Sequence, residues 1–114
     1  IFAKYMNGTT GTWKCASSNC HGPTGTAGIP TNQPAIDGTN AQAAYNSLTQ
    51  YLVDDKPYIN ACTTDPSGSA MDCNLKGACE AQMPTSGAGV ASAAATPTEI
   101  GDVETWLRCG APFN

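Results

Sequence analysis

The sequence predicts a small all-α domain of three or so helices joined by long Gly/Pro-rich loops. Three observations carry this. Apolar residues recur at three- and four-residue spacing over 39–54 and 97–109, and more briefly over 2–6. The 12 glycines and 8 prolines fall mostly outside those stretches. Six cysteines stand in a chain of 114 residues, enough for one domain (1–114) and too short for two.

Phe2, Tyr5 and Met6 share one helical face, and Asn7-Gly8 ends it. Thr9 to Thr12 reads as loop before Trp13. Gly22 to Gly38 holds too many glycines and prolines for regular structure. Over Thr39 to Asp54, with Thr39 or Asn40 as N-cap, the residues Ala41, Ala44, Tyr45, Leu48, Tyr51 and Leu52 form an apolar stripe. Asp54-Asp55-Lys56-Pro57 stops that helix. Tyr58 to Gly77 reads as irregular, with strong turn composition over Thr63 to Ser69. Thr85 to Thr96 is a low-complexity loop. The closing helix starts with two agreeing signals, Pro97 at its first position and Thr96 with Glu99 as a capping box. Ile100, Val103 and Leu107 run down one face with Trp106 beside them, and Gly110 then Pro112 end it.

Composition narrows the function. The net charge of -4 argues against nucleic acid or an anionic membrane surface as partner and allows a basic protein. No apolar run approaches the roughly 20 residues of a membrane span. Six cysteines in a short chain point to an oxidising compartment. With no signal peptide in view, the expectation is the mature form of an exported protein, periplasmic or extracellular.

The chemistry concentrates in Cys15-Ala16-Ser17-Ser18-Asn19-Cys20-His21, where two cysteines and the sole histidine fall within seven residues. C-x-x-C-H is the attachment signal of a c-type haem: each thiol adds to a vinyl group, and the adjacent imidazole is held under the iron. Here the spacing is C-x4-C-H. On a helix, positions five apart point about 140° away from one another. Cys15 and Cys20 can therefore reach one porphyrin only if Ala16 to Asn19 loop out, which their small polar side chains suit. Two other readings stay open: a Cys15–Cys20 disulfide with His21 at the surface, and a zinc site, which would need four ligands. A buried haem would also add apolar mass to a core that has only 2 Phe, 2 Trp and 4 Tyr.

Thirteen residues after His21 comes Pro34-Ala35-Ile36-Asp37-Gly38. With Cys20-His21-Gly22, Met83-Pro84 and the last helix, this stretch resembles the class I c-type cytochromes, in particular the small bacterial monohaem domains. The resemblance spans about Trp13 to Pro112 and implies a cytochrome c fold wrapped around one covalent haem c. It implies that the Pro34 carbonyl accepts a hydrogen bond from the His21 imidazole, fixing its tautomer and raising its basicity. Ile36 would line the haem face, and Trp13 would pack on the haem edge or cap the core. The middle helix would pack against a haem edge, and the last helix would cross the first.

The second axial ligand is sought among three methionines. Met6 belongs on a helix face and Met71 inside an irregular loop. Met83 precedes Pro84 and the last helix, the context of the ligand methionine in the resembled family. A histidine and a thioether keep the iron six-coordinate and favour Fe(II). The reading is thus an electron carrier serving redox partner proteins, as a monomer or within a larger redox assembly, and not an enzyme. The alternatives are a haem sensor or small enzyme with an open sixth position, for which only Glu80 could act as a distal acid or base, and a haem-free disulfide-rich binding module. If two cysteines hold haem, Cys62, Cys73, Cys79 and Cys109 remain. The expected bridges are Cys62–Cys73, stapling the turn between them, and Cys79–Cys109, although four cysteines allow three pairings. A calcium site from Asp55, Asp65 and Asp72 is a minor alternative.

Overall fold

The computed structural model describes residues 1–22, 34–79, 82–84 and 94–113. Its regular structure is mostly helical, with a small two-stranded ribbon that the all-α expectation did not include. The order is a π-helical turn Phe2–Met6, helix α1 (Ala41–Gln50), strands β1 (Leu52–Val53) and β2 (Lys56–Pro57), a 3-10 turn Pro66–Gly68, helix α2 (Ala70–Leu75) and helix α3 (Pro97–Arg108).

α1 starts where its cap predicts: the Asn40 side chain accepts from the Ala43 N–H. It ends four residues before Asp54. Tyr51 turns extended, and Asp54 and Asp55 both take left-handed backbone, with φ 49° and 62°. Positive φ at both central residues is what a two-residue hairpin of right-handed twist requires, and Asp tolerates it better than most residues. The chain therefore folds back with Leu52 opposite Pro57 and Val53 opposite Lys56. Leu52, expected on the helical stripe, is 53% exposed as a result.

The second departure is α2. The 3-10 turn before it is capped by Asp65, whose side chain accepts from the Ser67 N–H. Ser69, fully buried, spends its hydroxyl on the Asn60 N–H. Six residues then form α2, which buries Met71 and Leu75 together with Asp72 and Asn74. Asp72 is paired with Lys76 one turn on, and Lys76 also reaches Glu104 of α3 at 2.6 Å.

α3 has the expected start. Thr96 and Glu99 exchange both capping-box bonds, and Pro97 occupies the first turn. Val103 and Leu107 are buried, and the left-handed Gly110 (φ 78°) lets the chain leave the helix. The N-terminal turn lies against α3 through Asp102, which accepts from Lys4 Nζ at 2.6 Å and from the Tyr5 hydroxyl. One apolar core gathers Tyr5, Met6, Trp13, Ile36, Leu48, Ile59, Met71, Leu75, Val103 and Leu107. Among the described residues no helix is long and apolar enough to cross a membrane.

Candidate functional site

The stretch 14–22 is built as a closed loop. Lys14 adopts left-handed backbone (φ 51°), and Ser17 N–H then turns back to the Lys14 carbonyl at 2.9 Å. Cys20 N–H bonds Ser17 O at 3.0 Å, and His21 N–H returns to Cys15 O at 2.9 Å. The x4 spacer is thereby excluded from any helix, and Cys20-His21 is brought back beside Cys15. Ala16 N–H bonds Met6 O at 2.9 Å, which fastens the loop to the N-terminal turn. Gly22 N–H also reaches Ser17 O. A Cβ on Gly22 would sit 2.9 Å from that oxygen, so only glycine fits this closure.

Cys15 and Cys20 are both half-buried and unlinked in this structure. Burial pushes the Cys15 thiol up to about 12, and the nearby Cys20 adds to the rise. A raised pKa of this kind favours the protonated thiol. Tyr58, which the sequence offered no reason to single out, stands near Cys15. Its hydroxyl is held protonated first by burial and then by that neighbour. Just past β2, its N–H bonds the Tyr51 carbonyl at 2.8 Å and its carbonyl accepts from the Met71 N–H at 3.0 Å.

His21 Nδ1 lies 3.1 Å from the Pro34 carbonyl oxygen. A carbonyl can only accept, so Nδ1 carries the proton and the ring's lone pair is on Nε2, the nitrogen a metal would engage. The Pro34 segment is itself held on two sides. Ile36 N–H bonds the His21 carbonyl, and the Ala35 carbonyl accepts from Ser47 of α1 at 2.7 Å. Pro34 and Ile36 are buried. Trp13 is buried as well and stacks on Tyr5, with ring centroids 4.4 Å apart, so it caps the core beside the N-terminal turn.

Met83 is anchored separately. Its N–H bonds the Asn74 carbonyl at the end of α2, its side chain is half-buried, and Pro84 after it is buried. The same segment carries a Cys73–Cys79 disulfide with Cα atoms 5.5 Å apart. This corrects the expected Cys62–Cys73 and Cys79–Cys109 pairs. α2 places Cys73 just before the turn at left-handed Gly77, and that turn returns the chain so that Cys79 comes back to it. Cys62 and Cys109 are exposed free thiols. Met6 and Met71 are both core residues.

Asp55, Asp65 and Asp72 serve three separate ends: a hairpin turn, the cap of the 3-10 turn, and the ion pair with Lys76. Glu80 and the loop 85–93 lie outside the described residues. Among the described residues no group of three or more His, Cys, Asp or Glu side chains could hold a bare metal ion. A porphyrin brings four nitrogens of its own and asks the protein only for axial donors. An imidazole protonated on Nδ1, with two thiols on the same loop, is of that kind, and the Met83 thioether is held on a separate segment at the end of α2. No family model, curated relative or solved structure matches the chain.

Proposed function

We propose that this chain is an exported electron-transfer protein of the c-type cytochrome kind, carrying one haem c. The observation that carries the reading is the hydrogen bond from His21 Nδ1 to the Pro34 carbonyl, immediately after two cysteines that a backbone-bonded loop brings side by side. A surface histidine has no need of a second segment, fastened to α1, to set its ring.

In this reading each residue has one task. Cys15 and Cys20 would hold the group covalently, and His21 would offer Nε2 to its iron. Pro34 orients the imidazole and makes it a better donor by taking a share of its proton. Ile36, buried beside Pro34, would line the face of the group. Met83 would offer its sulfur to the same iron, and a soft thioether favours the reduced metal. When bound, haem c would supply a one-electron couple. With His21 and Met83 both engaged by the group, no place would be left on it for a substrate, and transfer to a redox partner is the role that fits. The net charge of -4 suits a partner with a basic docking face.

The test is an intact mass of the protein isolated from cells with haem-attachment machinery, together with a pyridine haemochrome spectrum after denaturation. The proposal expects the mass of the chain plus one haem and a haemochrome band that persists in acid–acetone. A chain of bare polypeptide mass with no such band would overturn it. A band displaced from the two-thioether position would show that only one of Cys15 and Cys20 is joined.

A further inference from the structure

Cys62 and Cys109 are 47 positions apart in the sequence, and both are free and exposed. The fold brings their segments together. A Cβ placed on Gly110 would lie 3.8 Å from the Ala61 carbonyl oxygen, an ordinary van der Waals contact between the residues adjoining the two cysteines. α3 packs on the 3-10 turn that follows Cys62. The Asp65 carboxylate that caps this turn is held below its ordinary value by the Ser67 hydroxyl and N–H, with Arg108 adding to the pull from the end of α3. With Cys73 and Cys79 already joined, each of these two thiols is left with the other as its only near candidate outside the haem-attachment loop.

We infer that Cys62 and Cys109 form a second disulfide, which crosslinks the C-terminal end of α3 to the segment before the 3-10 turn. The oxidant is a disulfide compound, either a thiol oxidoreductase of the export compartment or glutathione disulfide. One cysteine thiolate attacks its S–S bond, forms a mixed disulfide and releases one thiol. The second thiolate then displaces the remaining sulfur, so that two protons and two electrons leave the chain and the oxidant becomes two thiols. The bridge spans a long loop, so its main effect is on the unfolded chain, whose freedom it cuts. It needs no haem, so its failure and that of the proposed function are separable.

Whole protein is incubated with glutathione disulfide, alkylated without reduction, digested and mapped by mass spectrometry. A peptide joining Cys62 to Cys109 is expected, beside one joining Cys73 to Cys79. Cys62→Ser is expected to expose one alkylatable thiol at Cys109, and Cys109→Ser one at Cys62. The double variant C62S/C109S is expected to melt roughly 10 °C lower than the oxidised protein and to be insensitive to reductant at that bridge. Alkylation of both residues in oxidised wild-type protein would overturn the inference, as would peptides joining Cys62 to Cys73 or Cys79 to Cys109.

Discussion

The first 22 residues and the last helix are both well packed, yet they are held by different means. α3 is regular. A capping box opens it, Pro97 sets its first turn, and Val103 and Leu107 repeat on one face. The N-terminal stretch has one π-helical turn and then none. It is tied by backbone bonds at irregular intervals, from Thr12, Trp13 and Ala16 back to Lys4, Tyr5 and Met6. A helix is written by side chains at a period. A closed loop is written by which residues are small enough to let backbone meet backbone. The candidate attachment site belongs to the second kind, which is what a spacer of four residues between the cysteines demands.

That comparison can be broken by substitution. Leu107→Ala takes a buried side chain out of the shared core and should cost about 2–5 kcal/mol in urea unfolding. It should do so without regard to region, because N-terminal Tyr5 and Met6 sit in the same core. Gly22→Ala should cost roughly 1–3 kcal/mol, since its methyl would meet Ser17 and Ser18 backbone at 3.0 Å or less. A cost below the error of the measurement would mean that backbone fit does not hold the loop. Thr96→Ala removes one half of the capping box and should cost about 1 kcal/mol in urea unfolding.

The smallest effect is in pH. The Lys76 ammonium, bonded to Glu104, is the main cause holding that carboxyl below its ordinary value, and the Thr96 N–H does the same for Glu99. Their folded values lie under the unfolded value of about 4.3, so this stabilisation is complete above that pH and is lost as pH falls through the folded values. Unfolding free energy should therefore drop between pH 5 and pH 3, limits chosen to bracket about 4.3. Lys76→Met should make the drop shallower. An unchanged slope in that variant would show that Lys76 is not the partner that matters.

The same division explains what could be read in advance. α3 was legible down to its cap because each signal is local and the period is sustained over twelve residues. Six-residue α2 is shorter than the window in which a period shows, and it follows a turn-rich stretch. The hairpin hid in Asp54-Asp55: the pair reads as a helix stop, and only its two left-handed residues make it a turn between strands. At the site, Cys20-His21 and Pro34 stood out because their chemistry is specific at fixed spacing. Tyr58 beside Cys15 had no such mark, since tertiary packing alone puts it there. The disulfide was misplaced for a related reason. Turn composition between Cys62 and Cys73 suggested a staple, but the short return after α2 sets Cys73 against Cys79.

The central claim is that the imidazole of His21 and the sulfur of Met83 serve one iron. Its most direct test is the near-infrared spectrum of the oxidised protein beside that of Met83→Ala. The account predicts a weak charge-transfer band from the sulfur–iron bond in the wild type, and its loss in the variant with the haem still attached. A wild-type protein without that band, or a variant that keeps it, would contradict the account.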